Sequence, residues 1–290
     1  MDIVSVNYHI IKACDSTCSF CFATFRDVGS GLKLPDSERL IRMLADAGAE
    51  KITFAGGEPT LHRGLGAMLR CAKDAGLTTS IVTNGFQLER VLREASGFID
   101  WVGISVDSAD ETVQRRLGRG QGDHVHRSMR LAELCRGAGI RLKLNTVVTT
   151  LNWEEDMSEY LRAFRPERWK VFQVLPVEGQ NDGSVEDLLI SSEQFQAFVN
   201  RHESLKTDGL GPIPESNESM TDSYAMIDPL GRFYGDTDFK HRVSPPILEV
   251  GVLRALQSVG FVPEKLIERG GVYDWRADAA LRTSGVVAVV

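Results

Sequence analysis

Three cysteines fall within eight residues near the start of the chain, in Cys14-Asp15-Ser16-Thr17-Cys18-Ser19-Phe20-Cys21. Soft thiolates select iron–sulfur clusters, zinc or Cu(I). A structural zinc site closes with a fourth protein ligand, and the remaining cysteines, Cys71 and Cys135, lie in helical patterns with no partner at ligand spacing. A cubane held by three thiolates leaves one iron open to chelate a substrate. Offsets of four and seven also fit one face of a helix, but Asp15, Ser16, Thr17 and Ser19 read as a loop. Cys71 and Cys135 read as small buried hydrophobes. An odd count of five cysteines, three of them together, fits a reducing compartment and a metal site better than a disulfide framework.

Further along, Gly56-Gly57-Glu58-Pro59 joins glycines that let backbone approach a ligand to a carboxylate that accepts from an ammonium group. Taken alone, it is also a plain strand-to-helix turn. Thr83-Asn84-Gly85, Ser105 and Gly118-Arg119-Gly120 lie at or beyond the ends of later strand-like runs. Lys143 and Asn145 are two apart on one run, and Arg168 and Lys170 repeat that spacing on the next, so each pair shares a face. Lys51 opens an earlier run, and Asn7 and His9 share a face of the first. Cations turned into a protein interior are costly unless paired or ligand-bound. Converging Lys and Arg therefore suggest a phosphate site. Each alone also reads as a solvated strand-end charge or a partner of Asp or Glu, and His9 as a hydrogen-bonded core histidine.

These strings resemble a known superfamily. Cys-x3-Cys-x2-Cys after the first strand, with Phe20 directly before the third cysteine and Gly56-Gly57-Glu58-Pro59 after the second strand, resembles the radical S-adenosylmethionine (SAM) enzymes. Later strings are similar to the viperin-like members of that superfamily. They are Asn7-Tyr8-His9, Gly118-Arg119-Gly120-Gln121-Gly122, residues 152–157, Trp169-Lys170-Val171-Phe172-Gln173, Pro214-Glu215-Ser216-Asn217, Asp222-Ser223-Tyr224, and Arg269-Gly270-Gly271-Val272-Tyr273 with Trp275. The resemblance runs from about residue 5 to residue 280.

The resemblance implies a [4Fe–4S] cluster on Cys14, Cys18 and Cys21, with SAM on the open iron. Phe20, Gly56, Gly57, Glu58, Asn84, Ser105 and Arg119 would surround SAM. It implies cleavage of SAM to methionine and a 5′-deoxyadenosyl radical, removal of hydrogen from a ribose C4′, and loss of the 3′-hydroxyl as water. The implied substrate is a nucleoside triphosphate, CTP first, with UTP or GTP in some relatives. The product would be an antiviral, chain-terminating 3′-deoxy-3′,4′-didehydro nucleotide. Lys51, Lys143, Arg168 and Lys170 would hold the phosphates. Asn7, His9 and Asn145 would line the nucleotide pocket, and Tyr224 would be a late hydrogen or proton donor. A one-electron donor such as flavodoxin or ferredoxin completes the partners. The chain departs from viperin in lacking an amphipathic N-terminal helix and a terminal tryptophan. Membrane docking and the eukaryotic route of cluster delivery are therefore not expected; a cytoplasmic, prokaryotic-type enzyme is. Two alternatives stay open. One is a radical SAM enzyme for another small metabolite or a peptide, although no cysteine follows Cys135. The other is a non-enzymatic iron–sulfur or zinc protein.

Strands must place this chemistry. Short β-rich runs are expected at 4–11, 51–55, 78–83, 101–107, 141–148 and 169–175. Amphipathic helices are expected between them, at 36–47, 64–75, 87–95, 124–136 and 154–164, with Asp36 and Asn152 near their starts and Gly48, Gly76 and Gly137 near their ends. The alternation predicts an α/β fold, a partial (β/α)6 barrel over 1–175, whose loops after the strands carry the chemistry. A C-terminal extension over 176–290 would cover the barrel mouth. Within it, helices are expected at 191–203 and 251–260, and a loop at 206–223. The tail at 285–290 reads as a frayed strand or a disordered end.

Composition sets the outer bounds. The chain has 290 residues, 42% hydrophobic and 25% charged, with a net charge of -7. That suffices for a substantial core. An acidic surface disfavours nucleic acid but leaves room for a local basic pocket. No signal peptide and no apolar run of about 20 residues is found.

Overall fold

The computed structural model describes residues 3–276, so the expected frayed or disordered end at 285–290 lies outside the described residues. Six strands follow one another in chain order as parallel neighbours: β1 (Ser5–His9), β2 (Lys51–Ala55), β3 (Thr78–Thr83), β4 (Trp101–Ser105), β5 (Arg141–Val148) and β6 (Arg168–Gln173). Parallel neighbours need long crossovers. These are supplied by α1 (Leu34–Asp46), α2 (Leu65–Asp74), α3 (Leu88–Ala95), α4 (Glu111–Arg116), α5 (His124–Gly137) and α6 (Ser158–Phe164).

Alternation along the strands gives the sheet two unlike faces. One carries Val6, Tyr8, Ile52, Phe54, Ile81, Val102, Ile104, Leu142, Leu144, Trp169 and Val171, all buried. The helices bury their apolar stripes on it, among them Leu40, Ile41 and Leu44 of α1 and Leu131, Ala132 and Cys135 of α5. Full burial of one such aliphatic side chain contributes about 1.5–3 kcal/mol, so this layer carries most of the fold's stability. Cys71 and Cys135 belong to it.

Two helix starts differ from expectation. α1 opens at Leu34, with Pro35 in its first turn and Lys33 as the extended cap. Proline's fixed φ suits that turn. α6 opens at Ser158, and Asn152 does not cap it. The Asn152 side chain is buried and turns backward. It accepts from the Thr149 amide at 2.7 Å and donates to the carbonyls of Asp107 and Val147 at 2.5 and 2.9 Å. It thereby ties together the segments that follow β4 and β5.

Beyond β6, α7 (Ser192–Arg201) forms as expected, but the loop expected at 206–223 is partly regular. Pro212–Glu215 is β7, parallel to β6, and Asn217–Met220 is the short helix α8. Prolines at 212 and 214 hid this strand. They are tolerated because β7 is an edge, where alternate N–H groups have no strand to bond. β8 (Ala225–Ile227) pairs with the other side of β1, followed by antiparallel β9 (Arg232–Gly235) and β10 (Arg242–Pro246). The full order is β10-β9-β8-β1-β2-β3-β4-β5-β6-β7. Residues after 176 thus lengthen one sheet at both ends. Short helices α9 (Ile247–Val250), α10 (Val252–Leu256) and α11 (Pro263–Glu268) close the described chain. The result is the expected partial barrel.

Candidate active site

Residues paired in register on parallel strands share a face, as do alternate residues along each strand. Starting from Asn7, the second face of the sheet carries His9 on β1 and Lys51 and Thr53 on β2. It continues with Ser80 on β3 and with Trp101 and Ser105 on β4. Lys143 and Asn145 follow on β5, Arg168 and Lys170 on β6, and Glu215 on β7. Asn7, His9, Lys51, Ser105, Lys143, Asn145, Arg168 and Lys170 therefore share the inner face, away from the helices, whereas Thr83 ends β3 on the other.

At the strands' C-terminal ends, the cysteine loop is fastened to its neighbours. The Gly57 and Glu58 amides donate to the Ile11 and Ala13 carbonyls at 2.6 and 2.8 Å, and the Thr17 and Ser19 amides to those of Gly118 and Leu117 at 3.0 and 3.2 Å. A β-carbon on Gly57 would sit 2.3 Å from the Lys12 and Ala13 carbonyl oxygens, and one on Gly118, at φ +81°, 2.2 Å from that of Thr17. No side chain fits there. The space freed at Gly56 and Gly57 is filled by the backbone of residues 11–13, which leads into the cysteine loop, while both glycines stay partly exposed.

Glu58 is buried and caps the next turn. Its Oε1 accepts from the Thr60 amide, Thr60 Oγ1 and Thr83 Oγ1 at 3.0, 2.6 and 2.7 Å, and its Oε2 from the Asn84 amide at 2.8 Å. Asn84 Nδ2 reaches Asp15 Oδ1 at 2.6 Å and Ser16 Oγ at 3.0 Å, inside the cysteine loop. Arg119 is buried on an ion pair with Asp107 and lies 5.5 Å over the Phe20 ring. Burial alone would lower its pKa; Asp107 and the thiols of Cys18 and Cys21 raise it instead. The Ser105 carbonyl meets His124 Nε2 at 2.7 Å.

Burial pushes the Cys18 thiol up to about 12 and the Cys14 and Cys21 thiols upward, with Arg119 pulling Cys18 and Cys21 the other way. Three desolvated thiols become favourable thiolates only against added positive charge, which a metal cluster provides. No group of three His, Cys, Asp or Glu among the described residues is gathered tightly enough to hold a metal ion. The loop carries three thiols, one short of the four protein ligands of a closed zinc site.

Toward the strands' N-terminal ends lies a cationic pocket. Lys51, Lys143, Arg168, Lys170 and Arg269 converge on it. Glu215, fully buried, is the one carboxylate among the described residues that pairs with any of them, meeting Lys170 at 2.6 Å and Arg269 at 3.4 Å. The others lean on aromatic faces. The Arg168 guanidinium lies 3.8 Å from the Tyr273 ring and donates to the Gly270 carbonyl at 2.8 Å, while its Nε has no partner. Lys143 donates to the Tyr273 hydroxyl. Lys51 lies 5.5 and 5.6 Å from the rings of Tyr273 and Trp275. Burial, then repulsion from Lys170, brings Lys51 down to about 7; burial, then Lys51, lowers Lys143 well below the ordinary lysine value. Burial also lowers Lys170, to about 8 despite Glu215. These are cations short of an anion.

Tyr224 enters this pocket from the segment before β8. Its hydroxyl accepts from Lys170 Nζ at 2.6 Å and donates to Glu215 Oε2, under an Arg269 guanidinium 3.5 Å from the ring. Asn145 Oδ1 is buried without a partner. The Asn7 side chain makes no hydrogen bond among the described residues. His9 sits in an aromatic cage, with Tyr234 OH at 3.0 Å and edge contacts to Phe22 and Phe25. Burial lowers it to about 3, so it is a neutral core histidine.

The Radical SAM superfamily pattern matches residues 8–164. A Flammeovirga pacifica protein named S-adenosylmethionine-dependent nucleotide dehydratase is 40% identical over 94% of this chain and 97% of its own length. The chain belongs to that nucleotide dehydratase family. The Oncorhynchus mykiss dehydratase RSAD2 is 38% identical over 96% of this chain and 82% of its own. Among solved structures, Streptococcus suis SuiB bound to S-adenosylmethionine matches 80% of this chain and 60% of that one, with TM-score 0.64 and 16% identity. Escherichia coli HemN matches with TM-score 0.56 at 12% identity. These two establish the fold alone. As a radical SAM enzyme, the protein uses a [4Fe–4S] cluster and SAM.

For this dehydratase family member, sequence reasoning passed over four pocket residues: Asp107, Glu215, Arg269 and Tyr273. The last three lie in strings that resemble the family, but no residue pattern gave them a role. Glu215, Arg269 and Tyr273 take their roles from Lys170, Glu215 and Lys143, 45, 54 and 130 positions away in the chain, and Asp107 from Arg119, 12 away. No helix of the described residues is long and apolar enough to cross a membrane.

Proposed function

We propose that the protein dehydrates a nucleoside triphosphate, CTP first, to its 3′-deoxy-3′,4′-didehydro form, an antiviral chain terminator. The observation that carries this reading is the cationic pocket, with five cations and one carboxylate on the same inner face that leads to the cysteine loop. Phosphate oxygens supply the missing anions. Lys143 lies five residues before the end of β5, a rise of about 16 Å, so phosphates held there leave the sugar toward the sulfur end. Both dehydratases named above act on nucleotides by their names.

In this reading the cluster and SAM, when bound, supply the radical that takes the ribose C4′ hydrogen. Cys14, Cys18 and Cys21 hold the cluster. Arg119, fixed by Asp107, and Asn84 face SAM, and Glu58 shapes the turn beneath it. Lys51, Lys143, Arg168 and Lys170, with Arg269, bind the phosphates; Asn7 and Asn145 border the sugar and base. Tyr224 supplies the proton and electron that complete loss of the 3′-hydroxyl. The extension is proposed to shield the radical from water, in line with Asn181 and Ser184 donating to the Phe20 and Ser19 carbonyls of the cysteine loop at 3.1 and 2.8 Å. A flavodoxin- or ferredoxin-type protein in the cytoplasm is the proposed reductant. The test is anaerobic incubation of the reconstituted enzyme with each nucleoside triphosphate and SAM, with products identified by mass. A nucleotide lighter by one water is the expected result. SAM cleavage with no triphosphate consumed would overturn the reading.

A further inference from the structure

Tyr224 stands among charges of nearly one sign. Lys170 donates to its oxygen at 2.6 Å and Arg269 lies on its ring at 3.5 Å. A phenol that loses an electron becomes a strong acid and must shed its proton at the same moment. Beneath two cations it needs a base within reach. Glu215 is that group: it is wholly buried, and its Oε2 already accepts the phenolic proton in a short hydrogen bond. Its other oxygen faces Lys170 and Arg269. Neither cation accepts a proton, and the Ser223 carbonyl is occupied by Arg269.

We propose that Glu215 is the positioning residue of Tyr224: its carboxylate aims the phenol and receives the phenolic proton when the phenol gives up its electron. The inference rests on the nucleotide reading above. The step balances as follows. The C3′–O bond of the C4′ radical breaks, releasing hydroxide and leaving a nucleotide radical cation. One electron from the phenol makes the C3′–C4′ double bond. The phenolic proton passes to Glu215 and from it to the hydroxide, giving water. The phenoxyl radical is then reduced and reprotonated by the flavodoxin- or ferredoxin-type donor and solvent.

Substrate arms the pair. In the free protein, burial would raise the Glu215 pKa, but Lys170 and Arg269 outweigh it and hold the carboxyl below its ordinary value. Phosphates that take up those cations relieve that pull, so the carboxylate becomes a better base when a nucleotide is present.

The test compares Glu215→Gln, Glu215→Asp and Tyr224→Phe in the reconstituted enzyme, saturated with the nucleoside triphosphate it turns over. The readout is dehydrated nucleotide formed per 5′-deoxyadenosine. Triphosphate affinity is measured separately by calorimetry so that saturation is assured. Glu215→Gln and Tyr224→Phe should each lower the ratio by about 10-fold or more, a modest general-base effect, while SAM cleavage persists. The double variant should be no worse than either single one, as for residues acting as a unit. Glu215→Asp keeps the charge against Lys170 and draws it back from the phenol, so it should lower the ratio as well; it serves if the Gln variant fails to fold. An unchanged ratio in either Glu215 variant, or multiplying losses in the double variant, would overturn the inference. An unchanged ratio in Tyr224→Phe would instead remove the phenol from the reaction, whatever Glu215 does.

Discussion

Binding of a polyanion in the cationic pocket should draw protons into the protein. Burial and mutual repulsion bring Lys51 to about 7 and Lys170 to about 8, against an ordinary 10.5, and lower Lys143 well below it too. At pH 8 a lysine with a pKa of about 7 is protonated about one-tenth of the time, and one of about 8 half the time. If bound phosphates return all three to full charge, Lys51 takes up ~0.9 proton and Lys170 ~0.5 per nucleotide, with Lys143 adding its own share. At pH 6 Lys51 and Lys170 are already largely charged, and Lys51 takes up only ~0.1. Affinity should therefore fall by more than 10-fold per pH unit near pH 8, and less steeply toward pH 6 as Lys51 and Lys170 become charged in the free protein. The assay is titration calorimetry at pH 8 in two buffers of different ionisation enthalpy, where the difference in heat counts the protons. The free protein offers a check of sign. Between about pH 7 and 10 the unfolded chain binds more protons than the folded one, so stability should rise with pH across that window and be lost as pH falls toward 7. Zero proton uptake at pH 8, with tight binding, would refute the picture of desolvated, anion-starved lysines.

Other outcomes follow from the same geometry. Cys14→Ala, Cys18→Ala or Cys21→Ala should abolish the brown chromophore and SAM cleavage, whereas Cys71→Ala should retain both, since Cys71 packs under α1; iron and sulfide assays decide. Arg168→Ala and Lys170→Ala should each weaken triphosphate binding by about 1.5–3 kcal/mol, the worth of a charge-assisted contact, with SAM binding nearly intact by calorimetry. Asn152→Ala leaves the Thr149 amide and the Asp107 and Val147 carbonyls short of partners, and should cost roughly 1–3 kcal/mol in denaturant unfolding.

The barrel was legible because its signals are local. Lys51–Ala55, Thr78–Thr83 and Arg141–Val148 are unbroken β-rich runs between helices that end near glycine, and the observed strands have those bounds. The cysteine loop and the motifs after the strands were legible for the same reason. What stayed hidden depends on contacts made across the chain. Pro212 and Pro214 argue for a loop until the free edge of β6 is available to them. Asn152 reads as a helix cap until the carbonyls of two strand ends converge on it. Glu215 gains meaning only when Lys170, Tyr224 and Arg269 arrive from three separate segments. Gly56 and Gly57 also make room for the backbone of residues 11–13, a contact no local pattern announces.

Among the described residues the sheet ends at β7 and β10, and each border carries prolines: Pro212 and Pro214 on β7, Pro245 and Pro246 on β10. A bare strand border is a template on which another chain can add itself, the first step toward aggregation. Proline removes the amide such an intruder would grip. A closed barrel escapes this hazard by having no borders. This protein leaves its barrel open, and so must blunt both margins chemically. The residues that disguised β7 in the sequence are thus the ones that let a half-closed sheet remain a solitary one.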